Sequence, residues 1–299
     1  MAGASTAFVA LAAFCWGVSG GIGGILMADG WDAFVVSFYR GVIGLLFVVI
    51  WLALRPRGSG LSDRRLWFWS AVAGLGMAGN FAFYFVSIAQ GNIAVAVTLM
   101  YCAPVFVGLL SFALKLESPT SLKWAAIAVV MLGIVLLTRI YETDASGVTL
   151  IGIGAGLLAG LFYAVFIFGF KYAVPYGSPQ AILVIAFAAL VALLIWPGDF
   201  GQLVAAPTTT EWPLFVTLGV VGGGLSFFLY IVGLRRTTPI AASIVAMVEP
   251  VTASLFGVVV LNESLAGLQF FGMGLILVSV TVLSVYSSAW WRPSDPTTR

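Results

Sequence analysis

The chain has 299 residues, of which 62% are hydrophobic and only 8% are charged, and its formal net charge is +2. Soluble domains are about 45–50% apolar and about 25% charged, so this composition excludes a soluble globular protein and, equally, a disordered one. The small net charge excludes a nucleic-acid-binding footprint. Two cysteines and no histidine exclude histidine-based catalysis and histidine or multi-cysteine metal sites. The composition therefore predicts an all-α polytopic membrane protein without a metal or other cofactor.

Ten predominantly apolar runs are long enough to cross a bilayer, whose core needs roughly 20 residues of helix. They are predicted at 6–27, 33–54, 66–88, 93–114, 122–140, 148–171, 180–197, 211–233, 239–261 and 267–289. The connections between them are short, which predicts that neighbouring helices run antiparallel. The first run is not expected to be a signal peptide, because no basic segment precedes it and it is longer than the apolar part of such peptides.

The basic residues predict the orientation in the membrane. Alternate connections and the C-terminal tail carry Arg55, Arg57, Arg64, Arg65, Lys115, Lys123, Lys171, Arg235, Arg236, Arg292 and Arg299, whereas the other connections carry only Arg139. Lysine and arginine concentrate in cytoplasmic loops. We therefore expect both termini in the cytoplasm.

The sequence repeats itself at an offset of 146 residues. Residues 81–118 then overlay 227–264, and the matches include Pro104 with Pro250 and Glu117 with Glu263. The chain is thus predicted to consist of two five-helix halves, 1–146 and 147–299. Because five is odd, the second half would enter the membrane upside down, an arrangement typical of secondary transporters. An old duplication in a channel or a membrane enzyme is the alternative.

Two charged residues are predicted inside spans, Arg40 in the second and Glu249 near the middle of the ninth. Each would cost roughly 2.5–3.5 kcal/mol to insert if it were charged and unpaired. Pairing, directly or through water, would relieve that cost, as would protonation of Glu249. A structural ion pair, a coupling role and a substrate contact are all open; we expect Glu249 to be ionised and structural beside Arg40.

Pro104 and Pro250 are predicted to kink the fourth and ninth spans. Each proline deprives the carbonyl four residues earlier of its donor, in Met100 and Ala246 respectively. Freed carbonyls in a membrane can line a cavity and could accept from a substrate ammonium group. A plain kink, with a hydroxyl or water as the partner, is the alternative.

Deep aromatic and polar side chains are the other candidates for a substrate cavity. They are Trp16, Asn80, Tyr84, Tyr101, Tyr163, Tyr230, Ser243 and Met247. Buried tyrosine hydroxyls need partners, and Asn80 could donate to a carboxylate. An aromatic stripe is, however, more often packing than a binding site.

Glycines are expected to set the helix packing. Gly152, Gly156 and Gly160 in the sixth span, and Gly20 and Gly24 in the first, have the spacing that lets helix backbones approach closely. The run 222–224 lowers helix propensity in the eighth span and could flex. A nucleotide-binding signature does not occur in the sequence, so ATP-driven transport by this chain alone is not expected.

These features resemble the drug/metabolite transporter superfamily in its EamA-type ten-helix form. The resemblance rests on the ten-span layout, Trp16–Gly17, Arg40, and the two Pro…Glu pairs of the repeat. The aromatic segment 80–84 is similar to that of YddG-type aromatic amino-acid exporters. The resemblance implies a basket of helices in a bacterial inner membrane, around a central cavity lined by spans 1, 3, 4, 6, 8 and 9.

The expected function is therefore export of small molecules, namely amino acids with aromatic or other neutral side chains and related metabolites, by alternating access across the lipid bilayer. Neither nucleic acid nor an obligate protein partner is expected. A carrier for other small organics, including planar cations, is the nearest alternative. A channel or an intramembrane enzyme is the alternative from another class, and the enzyme is disfavoured because no catalytic constellation is visible within the spans.

Overall fold

The computed structural model describes residues 2–56, 58–144 and 147–290, and within these ranges the chain is helical with no strand. Arg57, Arg292 and Arg299, which contributed to the predicted orientation, lie outside the described residues. The α-helices are α1 (Ala2–Ala28), α2 (Ala33–Leu54), α3 (Arg64–Ala89), α4 (Ile93–Met100), α5 (Ala103–Ala113), α6 (Ser121–Thr138), α7 (Leu150–Ala173), α8 (Pro179–Leu194), α9 (Phe200–Ala205), α10 (Trp212–Gly219), α11 (Ser226–Leu234), α12 (Pro239–Ala246), α13 (Val248–Leu261) and α14 (Gly267–Trp290).

These helices confirm the predicted membrane layout. Nine helical units in the described ranges are long and apolar enough to cross a bilayer, and α8 is a shorter apolar helix. Three of the units are interrupted: α4 continues into α5, α10 into α11 and α12 into α13. The seventh span, α8, ends before the predicted boundary at residue 197. Pro197 explains this, because a proline disfavours helical backbone in the residue before it.

The connections begin the helices with capping side chains. The Asp32 carboxylate accepts from the N–H groups of Phe34 and Val35 at the start of α2, and Asn92 and Thr238 cap α4 and α12 in the same way. Such caps satisfy N–H groups that have no acceptor within the helix. They fix where each helix enters the bundle, which the apolar periodicity alone leaves uncertain by several residues.

The helix pattern itself recurs at the 146-residue offset. The starts of α2, α4 and α6 coincide with those of α8, α12 and α14, and α4 and α12 end at equivalent residues, Met100 and Ala246. In both halves the interruption comes just before the repeated proline. The duplicated helix order is consistent with the two predicted halves, although residues 145 and 146 at their junction lie outside the described ranges.

Glycines bring several helices into backbone contact. A Cβ on Gly152 would lie 2.6 Å from the carbonyl oxygen of Gln90, and one on Gly160 would lie 2.9 Å from that of Leu99, so the sixth-span glycines pack α7 onto the ends of α3 and α4. The expectation for α1 is wrong: Gly20 and Gly24 have open space beside them. Gly17 and Gly21 make the close contacts instead, against α13.

The outside of the bundle is apolar. Leu150, Val259 and Leu54 are 87%, 77% and 76% exposed, and many other large apolar side chains of the spans are also exposed. A water-soluble protein does not present this much apolar surface. The surface is that of an integral membrane protein whose lipid-facing side chains have no protein neighbour.

Candidate substrate cavity

A cavity of about 580 Å³ extends from one end of the bundle to its middle. Its rim includes Met27, Ala33 and Ile93, which flank the connections 29–32 and 90–92. We call this the open end. The other end carries Arg55, Arg64, Arg65, Lys115, Lys123, Arg235 and Arg236, and we call it the basic end. Binding pockets for small molecules usually measure about 300–1,000 Å³, so the cavity is large enough for an amino acid.

A layer of packed aromatic rings closes the cavity towards the basic end. Trp16 lies 4.9 Å from Phe227 and 5.0 Å from Tyr230 between ring centroids, and Phe166 and Phe170 pack on the same cluster. We call these five residues the aromatic layer. All five are at most 4% exposed. The site is therefore accessible from one end of the bundle only.

Arg40 reaches the cavity wall from α2. Its Nε donates to the carbonyl oxygen of Gly222 at 3.0 Å, and its guanidinium lies over the ring of Phe81 at 5.6 Å from the centroid. The Gly222 carbonyl belongs to a π-helical turn, Val220–Leu225, that separates α10 from α11. The glycine run, for which the sequence predicts low helix propensity, forms a widened turn, and such turns are frequent at functional sites.

Gly222 is required at this place for a steric reason. A Cβ there would overlap the side chain of Ser19 and would lie 3.2 Å from Arg40 Nε. Its neighbours Gly223 and Gly224 pack equally closely on α2. The glycine run therefore holds α1 and α2 against the second half and orients the Arg40 side chain.

Glu249 reaches the same cavity from the first turn of α13. The Tyr163 hydroxyl donates to its Oε2 at 3.4 Å, and the Tyr101 hydroxyl also interacts with the carboxylate. Among the described residues, the two ion pairs are Lys123–Glu117 and Arg139–Glu142. Glu249 and Arg40 are thus not in direct ion-pair contact, but both side chains face the same cavity and their charges interact.

The remaining candidates divide into two groups. Trp16, Asn80, Tyr84, Tyr101 and Tyr163 line the cavity. Tyr230, Ser243 and Met247 are fully buried away from it: Tyr230 belongs to the aromatic layer, Ser243 donates to the carbonyl of Ile240, and Met247 marks the break between α12 and α13.

Trp16 and Asn80 place polar N–H groups at the cavity wall. The Trp16 indole N–H is buried and finds no acceptor among the described residues. The Asn80 amide donates to the carbonyl of Ala159 at 3.0 Å, which ties α3 to α7. Buried polar groups are normally satisfied, and the buried indole N–H of Trp16 is an exception to that rule.

Of the two repeated prolines, Pro250 belongs to the cavity wall and Pro104 does not, and Met100 also lies on the wall. Three further lining residues were not predicted from the sequence, namely Ser37, Phe81 and Thr138. The second and fifth spans thus contribute in addition to those implied by the resemblance. Ser37 lies three residues before Arg40 and hence on the same helix face, which is a signal that could have found it. Thr138, at the end of α6, gives no such signal.

The repeated helix segments α4 and α12 lie in contrasting environments. All eight residues of α12 are buried at the basic end, whereas in α4 only Ala96, Thr98 and Met100 are buried. Ile93 at the start of α4 is 63% exposed, while its repeat counterpart Pro239 is buried. The bundle is therefore packed closed around α12 and splayed open around α4.

The described residues contain no group of three histidine, cysteine or carboxylate side chains that could hold a metal ion. The cavity wall instead combines one guanidinium, one carboxylate, tyrosine hydroxyls and aromatic rings. These groups are suited to binding by charge, hydrogen bonding and stacking.

Comparisons with known proteins agree with this architecture. The profile of the EamA-like transporter family matches residues 4–139 and 150–285. The chain is 26% identical over 286 residues to the uncharacterized transporter YwfM of Bacillus subtilis, covering 93% of this chain and 92% of that protein. It is also 26% identical to the threonine/homoserine exporter RhtA of Escherichia coli K12, covering 69% and 67%. A solved crystal structure at 20% identity superposes with a TM-score of 0.76, covering 96% of this chain and 99% of that one, which shows a shared fold.

Proposed function

The chain belongs to the EamA-like transporter family, and from that premise we propose that it exports neutral amino acids across the bacterial inner membrane by alternating access. Aromatic and other large neutral side chains are the favoured substrates. The chemistry of the cavity wall supports the substrate class, and the unequal packing of the two repeats supports the transport mechanism.

The observation that carries the substrate class is the placement of Arg40 and Glu249 in one cavity of about 580 Å³. A zwitterion has a carboxylate for the guanidinium and an ammonium group for the carboxylate, and pairing each charge offsets the cost of holding it inside the membrane. The rings of Phe81, Tyr84 and Tyr101 border the same space. They offer a stacking surface to an aromatic substrate side chain.

The alternatives fit this wall less well. Sugar phosphates require several cationic groups, and Arg40 is the one cationic side chain among the described residues of the cavity wall. A planar cation could stack on the rings and pair with Glu249, but it would leave Arg40 without an anionic partner. The relative named as a threonine/homoserine exporter supports amino acids as the substrate class, while the aromatic preference rests on this cavity.

The closed aromatic layer and the splayed α4 support a carrier rather than a channel. An inverted repeat whose halves exchange conformations opens the central site to one side at a time. The conformation described here has the open end accessible. If α4 became buried at the open end and α12 became exposed at the basic end, the cavity would be accessible from the basic end instead.

The orientation follows from the charge distribution. The basic end is cytoplasmic by the positive-inside rule, so the cavity described here faces outward. Ser118 and Ser264 are exposed repeat counterparts at the basic and open ends. With Cys15 and Cys102 replaced by alanine, Ser264→Cys should react with an impermeant maleimide in intact cells, and Ser118→Cys only after lysis. The reverse pattern would contradict the orientation.

Counterflow in proteoliposomes tests the function. Purified protein in vesicles loaded with unlabelled phenylalanine should accumulate external labelled phenylalanine transiently, and a panel of other neutral amino acids should compete. A channel gives equilibration without an overshoot. If no neutral amino acid gives counterflow while planar organic cations do, the substrate assignment is wrong.

A further inference from the structure

Glu117 fastens the closed basic end of the bundle. It lies in the α5–α6 connection, its side chain is 5% exposed, and its Oε2 is 3.0 Å from Nζ of Lys123. Its Oε1 accepts the backbone N–H of Ile240 at 3.2 Å, in the first turn of α12. That N–H has no acceptor within its own helix, and a negative charge is favourable at a helix N-terminus. The Glu117 carboxylate therefore connects the α5–α6 connection of the first repeat to the buried helix α12 of the second.

The 146-residue repeat places an equivalent set of groups at the open end. It relates Glu117 to Glu263, and Ile240 to Ala94 in the first turn of α4. The caps correspond too, since Asn92 accepts from Val95 as Thr238 accepts from Ala241. Glu263, however, is exposed, and Ala94 borders the open cavity.

The connection that carries Glu263 is anchored beside α4. Gln269, in the first turn of α14, donates from Nε2 to the carbonyl of Leu137 at 2.9 Å. The adjacent Thr138 hydroxyl is hydrogen-bonded to the hydroxyl of Thr98 on α4 at 2.7 Å. The Glu263 connection thus lies on the side of the cavity rim that leads to α4.

We propose that Glu263 is a positioning residue that fastens the open end when it closes, by accepting the N–H of Ala94, and that Glu117 releases Ile240 when the basic end opens. This inference rests on the proposed alternating access. Each conformation then contains one of the two carboxylate contacts. Lys123 stabilises Glu117, whereas its repeat counterpart is the uncharged Gln269. The Glu117 contact at the basic end is consequently stronger than the Glu263 contact at the open end. This agrees with the conformation described, in which the basic end is closed and the open end is open.

Two reporter cysteines can follow both ends without any substrate. Val97 borders the open cavity, and its repeat counterpart Ser243 is fully buried in α12. In nanodiscs, where both faces are accessible, and with the native cysteines replaced, a maleimide should label Val97→Cys quickly and Ser243→Cys slowly. Opening of the basic end should reverse that order.

Glu117→Ala should raise the labelling rate of Ser243→Cys and lower that of Val97→Cys, on the order of tenfold for loss of a charge-assisted hydrogen bond. Adding Glu263→Ala should return both rates towards those of the parent, because the opposing contact is then lost too. Where Glu117→Ala is not monodisperse, Glu117→Gln takes its place. Glu142→Gln, which alters another carboxylate at the open end, is the matched control and should change neither rate.

The proposal is overturned if Glu263→Ala leaves the rates of the Glu117 variant unchanged, or if the Glu117 variant labels like the parent. Both results are independent of substrate. A failure of counterflow together with the expected labelling pattern would therefore contradict the proposed substrate class but not the role of Glu263.

Discussion

Arg40 offers a quantitative test of how the cavity recognises its substrate. Arg40 lines the cavity while its Nε is held by the Gly222 carbonyl, and we expect its terminal nitrogens to bind the substrate carboxylate. A hydrogen bond to a charged group contributes about 1.5–3 kcal/mol. Because about 1.4 kcal/mol corresponds to a factor of ten, Arg40→Gln should weaken the apparent affinity for phenylalanine by about 10- to 150-fold.

The test compares two competitors of counterflow, phenylalanine and phenylalaninamide, which lacks the carboxylate. In the parent protein the amide should bind more weakly than the acid. In the Arg40→Gln variant that difference should largely disappear, because the partner of the carboxylate is gone. Arg139→Gln, which alters an exposed arginine at the same end, should leave the difference intact.

An equal loss of affinity for both competitors would contradict a contact between Arg40 and the substrate carboxylate. It would mean that Arg40 acts through the packing of α2 on the Val220–Leu225 turn and not through the substrate carboxylate. Thermal unfolding of the variant in detergent separates the two effects, since a packing role also lowers its melting temperature.

Three further predictions follow from the same cavity. Glu249→Gln should weaken competition by phenylalanine more than competition by phenylpropionate, which lacks the ammonium group, and an equal loss for both would exclude an ammonium contact. Trp16→Ala and Tyr163→Ala should each shift the affinity for aromatic substrates several-fold, as expected from about 0.5–1.5 kcal/mol of stacking. Competition by free alanine should change little. Unchanged affinities for aromatic substrates in both variants would mean that Trp16 and Tyr163 are packing residues. Gly222→Ala should destabilise the protein by about 1–3 kcal/mol through overpacking, measured by unfolding in detergent against Gly154→Ala, whose added methyl group meets open space; equal stability of the two variants would contradict the packing argument.

The sequence predicted the features that depend on local chemistry. The ten spans follow from apolar length, and α4 and α12 end at equivalent residues because the repeated proline removes a backbone hydrogen bond at the same place in both halves. The offset that relates Pro104 to Pro250 also relates the helix starts, so the duplication is visible in both sequence and structure. None of these features requires knowledge of which helices are neighbours.

The features that the sequence missed depend on helix rotation and neighbours. Gly17 and Gly21 have the same spacing as Gly20 and Gly24 but lie on an adjacent face, and only the packing on α13 selects between the two pairs. Similar depths predict that Arg40 and Glu249 interact, and both side chains do face one cavity. Depth does not give the direction in which a side chain leaves its helix, so their hydrogen-bond partners, the Gly222 carbonyl for Arg40 and a tyrosine hydroxyl for Glu249, were not predicted.

The shortness of α8 has a consequence for the surrounding lipid. Its 16 residues span about 24 Å at 1.5 Å per residue, against a hydrocarbon core of about 30 Å. Beyond its end, Trp196 and Phe200 are 85% and 71% exposed, and α9 is held against α2 by the Tyr39 hydroxyl bonded to the carbonyl of Leu203. Local thinning of the bilayer or the side chains that flank α8 can accommodate so short a span, at a cost of fractions of a kcal/mol per Å. The hydrophobic mismatch between α8 and the bilayer thus depends on membrane thickness, and it is smaller in lipids with shorter acyl chains.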